Sequence, residues 1–434
     1  MEQENHEVIK TGHYRWSRRE ILGVGLLAGA TSGCAHRGQT TTPGSNLDSP
    51  VARVAKSYKE NIYTRLFGLE PHLPACDHIT AAGGSRMPLE VIDAMRQANE
   101  YFVDMHELTL AAGRRLAEVT KTEDALVTAG SFSAMILSAA ACLTGTDQEK
   151  IALLPHPTWP KRDCLTQKAH RFSYDRAYQI AGMRMVETET RQEMENAINE
   201  NTAMISVLAR LEYERKDDPN VMTIQELVEV GNRRGIPVVV DAAAEIPPSS
   251  TLTRFSEMGA DLVIISGGKG LRGPQSTGIL AGRKHLIEAA RLHAAPNGNL
   301  GRGMKVGKEE IVGLIAALNR YIGLDHELLH EDWNRKARFV ADRLKNIEGL
   351  NAEYTINGRG YADVLLSWDE RIIPLSQEEV RKKLQSGSPR VSIYQERFAT
   401  RCLEQDELIV ATERVRQFFQ EETRTVARGG ENGL

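Results

Sequence analysis

The feature that most restricts how this chain can fold is a pair of short, almost wholly apolar runs, each ending in a polar residue. Ile236-Pro237-Val238-Val239-Val240 ends in Asp241, and Leu262-Val263-Ile264-Ile265 ends in Ser266. A strand with no polar face belongs in a sheet covered on both sides. The second run leads directly into Ser266-Gly267-Gly268-Lys269-Gly270-Leu271-Arg272-Gly273-Pro274-Gln275. A lysine is therefore delivered by a buried-type strand into a loop crowded with glycine, 28 positions (241 to 269) after the aspartate.

Comparable runs recur. Ala125–Thr128, Lys150–Pro155, Met204–Ala209 and Thr277–Gly282 read as strands; Met135–Leu143 and Val221–Arg233 read as helices between them. This alternation predicts an α/β fold with a mainly parallel sheet between helices. Beyond the helical patterns Glu309–Tyr321 and Asp332–Ile347 the texture changes. Ala362–Ser367 and Arg390–Ile393 read as strands, Gln377–Leu384 and Asp406–Phe419 as amphipathic helices. The expected organisation is a signal segment over 1–34, a linker and arm over 35–70, and a large domain over 71–330. A small α+β domain over 331–425 and a disordered tail over 426–434 complete it.

Composition narrows the function. A net charge of −4 gives no global field for nucleic acid or an anionic membrane. The five cysteines include no CxxC pair or His/Cys cluster, so neither a zinc site nor a disulfide framework is expected. Near the start, Arg18-Arg19 precedes the weakly apolar Gly23–Ala30, the pattern of a twin-arginine export signal. Thr31-Ser32-Gly33-Cys34 partly resembles a lipoprotein box and makes Cys34 a candidate lipid anchor. The expected location is periplasmic or membrane-tethered, with the cytoplasm as the alternative.

An aspartate and a lysine at the ends of consecutive buried strands suit pyridoxal phosphate (PLP). The lysine would form a Schiff base, and the aspartate would hold a proton on the pyridine nitrogen. Each alone has a bland explanation, a helix cap or a solvated charge. A phosphate site is offered where Ala125–Thr128 opens into a helix: Gly130 admits a close backbone approach, and Ser131 or Ser133 can add a hydroxyl. Ser266 can give another. Ala243 is small enough for a flat ring to lie against the strand end, or is ordinary packing. His156 is a candidate to stack on that ring or shuttle protons, or is a polar loop residue. Arg272, Arg302 and Arg390 are candidates for a substrate carboxylate, or surface charges; Lys305 and Lys308 rank below them.

Four segments resemble the fold-type I PLP enzymes, and within them the bacterial selenocysteine synthase (L-seryl-tRNA selenium transferase) family. They are Gly83–Pro88, Val240–Glu245, Ser266–Gln275 and Gly301–Glu310. The resemblance covers about residues 77–325 and is stronger toward the family's ammonia-lyases, such as those acting on D-glucosaminate 6-phosphate. It implies Lys269 as the Schiff-base lysine and Asp241 as the partner of the pyridine nitrogen. It assigns Gly130, Ser131 and Ser266 to the phosphate cup, and it implies at least a homodimer. Residues 51–75 are too short for the selenium transferases' helical tRNA-binding domain, and no basic stripe replaces it. The segment Ile79–Ser85 is also shorter than the family's entry loop. The expected activity is a PLP-dependent lyase that eliminates a β-substituent and ammonia from a small amino acid or amino-sugar acid. Three alternatives stay open: selenium transfer to seryl-tRNA, a transaminase or racemase, and a PLP-less scaffold.

Overall fold

The computed structural model describes residues 50–431, which belong to one compact unit. The twin arginine and Cys34 lie outside the described residues. No helix among the described residues is long and apolar enough to cross a membrane.

Twelve strands form three sheets among the described residues. The largest contains β2 (Asp124–Thr128), β3 (Asp163–Gln167), β4 (Arg184–Thr188), β5 (Thr202–Leu208), β6 (Val238–Asp241), β7 (Leu262–Ser266) and β8 (Gly278–Gly282). Their order is β2-β8-β7-β6-β5-β3-β4. Only β8 runs against its neighbours, so the other six strands are parallel to one another. The apolar runs are used as their pattern requires. Val238, Val240, Val263 and Ile265 face one core, while Val239, Leu262 and Ile264 face the other. Because side chains alternate along a strand, a run apolar at every position fills both layers.

One expected strand is a helix. Gln148–Leu153 is helical, with the Asp147 carboxylate accepting from the Glu149 and Lys150 N–H groups. This cap uses orphan donors that a strand would lack. The true strand, β3, is buried along its length yet carries Asp163, Thr166 and Gln167. Each is satisfied: Asp163 takes two 2.7 Å bonds from Arg184, and Gln167 spans to Asn220 and Met222 backbone groups. Polarity hid a central strand because its partners are distant in sequence.

The second lobe has its own core, from Val54 and Leu73 to Phe419. Its sheet is β12 (Arg397–Phe398), β10 (Ala362–Trp368) and β9 (Leu350–Ile356), all antiparallel. Beside it β1 (His72–Ala75) pairs in parallel with β11 (Arg390–Ile393). The segment expected as a linker and arm therefore supplies part of the small lobe: helices Pro50–Lys59 and Ile62–Phe67 precede β1. The last helix, Gln405–Glu431, runs past residue 425 into the stretch expected as a disordered tail.

Candidate active site

In a mainly parallel sheet the strands' C-terminal ends share one edge, where the connecting loops can converge on a ligand. Here that edge carries Thr128, Gln167, Leu208, Asp241 and Ser266. Leu208 pairs with Asp241, and Ser266 pairs with Gly278, which also pairs with Thr128.

Asp241 is buried, and its Oδ1 accepts from the Ala243 N–H at 3.0 Å. Burial pushes its carboxyl above the ordinary range, against the pull of the Ala243 N–H and of Lys269. The Ala243 carbonyl in turn accepts from the Ser266 N–H at 3.3 Å, which ties the two strand ends together. Lys269 follows in a loop closed by Gly267 N–H to Thr277 O, and Gly273 N–H to Gly267 O, both 2.9 Å. The glycines let this loop lie on its neighbours: a Cβ on Gly270 would stand 2.1 Å from the Ile246 carbonyl oxygen. Burial lowers the Lys269 pKa, while Asp241 and Glu245 act in the opposite direction. The result is a lysine closer to its neutral, nucleophilic form than a surface lysine, with an aspartate that acts on it across the same edge.

The helix Gly130–Thr144 starts at this edge. Gly130 has φ +79, which a side chain would strain. Ala129, at the cap position, gives no side-chain bond to the first turn. Those N–H groups point out with the positive end of the helix dipole and suit a phosphate. Ser131 is half-buried in that turn. Ser133 is turned back, its hydroxyl donating to the Ala129 carbonyl at 2.8 Å, so that lone hydroxyl proton is already used.

The other candidates divide. His156 is exposed between the helix Gln148–Leu153 and the start of β3, beside the turn at Gly182 that enters β4. That is the N-terminal edge of the sheet, opposite Asp241, so His156 is not brought to the cofactor end. The expectation failed with the misplaced strand: a residue just after a strand faces the site, but one just before it does not. Arg272 is half-buried in the lysine loop, its Nε donating to the Arg86 carbonyl at 2.8 Å. Arg302 is exposed in the turn Asn299–Arg302. Arg390 donates to the Glu70 carbonyl at 3.3 Å, at the end of β11 that pairs with His72. The chain reaches the cleft only beyond the other end of β1, so Arg390 is held away from it. Lys308 donates to the Ala98 carbonyl at 2.9 Å.

Sequence reasoning missed several groups. His170 follows β3 at the correct edge; its Nδ1 accepts from the Leu208 N–H at 3.0 Å, and its buried Nε2 has no partner. Burial pushes it down to about 4, so the ring is neutral. Its only signal was its place after β3, which the misread strand concealed. Arg359 and Arg401 come from the small lobe. Arg359 donates to the Ala244 carbonyl and lies 3.6 Å from Asp77. The Arg401 side chain is 1% exposed; it bonds Asp363 at 2.8 Å and Asp77 at 2.5 Å and lies over the Tyr361 ring at 3.9 Å.

These residues fit PLP: an uncapped helix start for its phosphate, a buried aspartate, a depressed lysine and an orphaned ring nitrogen, His170 Nε2, at one edge. Residues 177–348 match the L-seryl-tRNA selenium transferase family. The chain is 35% identical to 5'-C-glycyluridine monooxygenase-decarboxylase from a Streptomyces species, over 75% of this chain and 82% of that protein. It is 29% identical to the D-glucosaminate-6-phosphate ammonia lyase of Salmonella typhimurium, over 78% and 90% respectively. A solved D-glucosaminate-6-phosphate ammonia-lyase structure superposes with a TM-score of 0.70 at 27% identity, covering 84% of this chain and 99% of that one. The chain belongs to the selenocysteine synthase-like family of PLP-dependent enzymes.

Proposed function

We propose that the chain is a PLP-dependent lyase that releases a β-substituent and ammonia from a small amino acid or amino-sugar acid. The observation that carries this is the shared edge of Asp241, Lys269 and the Gly130 helix start, together with the likeness to an ammonia lyase along most of both chains. When bound, the cofactor supplies an electron sink for the pair left at the substrate's α-carbon. Asp241 would hold a proton at the pyridine nitrogen; its burial keeps that charge pair out of water. Lys269 Nζ, depressed by burial, would take the α-proton as a base. The first-turn N–H groups, with Ser131 and Ser266, would hold the phosphate. Arg272, already anchored on the Arg86 carbonyl, would meet the substrate's carboxylate. A neutral His170 would pack on the ring without adding charge beside Asp241.

The test is a panel of amino acids and amino-sugar acids given to the PLP-loaded protein, with keto acid and ammonia measured together. Equal amounts of both without an acceptor support the lyase; keto acid that needs an acceptor marks a transaminase. A second reading rests on the 35% likeness to a monooxygenase-decarboxylase. Oxygen uptake matched by carbon dioxide release from the same panel would replace the lyase by that chemistry. Fold-type I relatives motivate a homodimer or larger oligomer as part of this proposal. Export on the Arg18-Arg19 signal is also proposed; recovery of the protein only from cytoplasm, with its leader intact, would defeat it.

A further inference from the structure

Beside the lysine edge, the small lobe gathers three side chains that the chemistry above does not use. An Asp77 oxygen, a His78 ring nitrogen and Cys402 Sγ all lie within 4.8 Å of one another. His78 Nδ1 is 2.7 Å from Asp77 Oδ1. Asp77 and His78 follow β1; Cys402 follows Arg401, whose guanidinium grips Asp77. The same buried ion pair that joins these distant segments therefore sets the geometry of all three. Asp77 has φ +64, an unusual conformation for aspartate and one retained where surrounding bonds over-determine it.

Histidine, aspartate and cysteine can together bind a soft divalent cation. The charges here oppose that use. Two guanidinium groups, Arg401 at 2.5 Å and Arg359 at 3.6 Å, already occupy Asp77. The order Cys–His–Asp instead matches a nucleophile, its base and the group that orients the base. Burial pulls His78 down, but the neighbouring Cys402 and Asp77 outweigh it and lift the imidazole to about 9. Burial raises the thiols of Cys76 and Cys164, each to about 12, and that of Cys142 further. Other groups facing the cluster are Arg86, which donates to the Cys402 carbonyl, Arg272 and Cys76, on both of which Cys402 acts, and Tyr361 and Lys269, on both of which Asp77 acts. Arg86, Arg272, Arg359 and Arg401 keep their charge across the working pH range and favour an anion among them.

We propose that Cys402, His78 and Asp77 form a triad that presents an activated thiol beside the Lys269 cleft, suited to a small α,β-unsaturated carbonyl compound. His78 takes the thiol proton while Asp77 holds the ring. The sulfur forms an S–C bond to the β-carbon, and the C=C electron pair moves to the α-carbon. That carbon then receives the proton from His78. The thiol has added across the double bond, and no oxidant or other reagent is consumed.

The probe is acrylamide at limiting concentration, applied to the full-length protein without PLP, with adducts located by peptide mass mapping. Cys402 should react before Cys76, Cys142 and Cys164. Its rate should be nearly level between about pH 6 and 9, and at the acid end about 10-fold above that of a cysteine in an unstructured peptide. His78→Gln should remove that excess and restore the steep rise of an ordinary thiol. If that variant does not fold, the wild-type pH profile decides alone. A Cys402 rate that climbs with pH like the peptide's overturns the triad. Protection of Cys402 by added zinc, reversed by chelation, also overturns it and marks a cation site. Because PLP is absent from the assay, failure of the lyase reading and failure of the triad are separate results.

Discussion

The seven-stranded sheet and the small lobe meet at one cleft but are built from different kinds of sequence. Asp241 and Lys269 sit at the ends of neighbouring strands only 28 positions apart (241 to 269), and each strand announces itself as an apolar run. The small-lobe side is assembled from residues 77–86, 359–363 and 401–407, joined by Arg401 on Asp77 and Asp363, and Arg86 on Glu407. One half of the cleft is a property of local pattern; the other exists only once the chain has closed. The chemistry should therefore be severed by single changes on the sheet side. Changes at the seam should act first through stability.

The largest effect expected is on the sheet side. Lys269→Ala should lower turnover by at least about 10²–10⁴-fold, the contribution of a positioned acid–base group, with the circular dichroism spectrum unchanged. Unaltered turnover would break the assignment. On the seam, Arg401→Met removes the guanidinium that bridges Asp77 and Asp363, leaving Arg359 at 3.6 Å and Arg397 at 3.8 Å as their remaining cations, and Asp363 is fully buried. Losing one partner of a buried pair costs about 3–5 kcal/mol, so urea unfolding should shift by that much. A shift below about 1 kcal/mol would mean that the seam is solvated.

The next effect is a pH dependence. His170 and His293 are both buried and both pushed down to about 4 by burial. In the unfolded chain they titrate near 6.5, so below that pH the unfolded state binds more protons. Stability held above about pH 6.5 should fall as the pH drops toward 4, by roughly 2–3 kcal/mol for each histidine. His170→Gln should flatten that fall in part; acid unfolding identical to wild type would contradict the buried neutral ring. The smallest effect tests local pattern alone. Thr223 caps the helix Ile224–Arg234 in a reciprocal arrangement with Glu226. Thr223→Ala should cost about 1 kcal/mol without touching activity.

Legibility in the sequence followed the same division. Val238–Val240 and Leu262–Ile265 were readable because a wholly apolar run has few other places to go, and Gly130 and Lys269 followed from strand ends. β3 was not readable, since Asp163, Thr166 and Gln167 find partners 21 to 55 positions away. Its displacement moved His156 into the expected site and hid His170. Arg359, Arg401 and the Asp77-His78-Cys402 cluster were invisible for a further reason. The pairing of β1 with β11 joins residues more than 300 positions apart, such as His72 and Arg390, and no local pattern encodes which distant arginine closes on Asp77. Arg390 was the small-lobe arginine that the sequence offered, and the register places it at the far end of β11, paired with His72.

The central claim, that Lys269 is the anchor for PLP at this sheet edge, is tested most directly by borohydride reduction. The protein would be loaded with PLP, reduced and digested, and the modified peptide identified by mass. A single pyridoxyl label is expected on Lys269, and it should disappear in Lys269→Ala. A label on another lysine, or none on a folded protein, would contradict it.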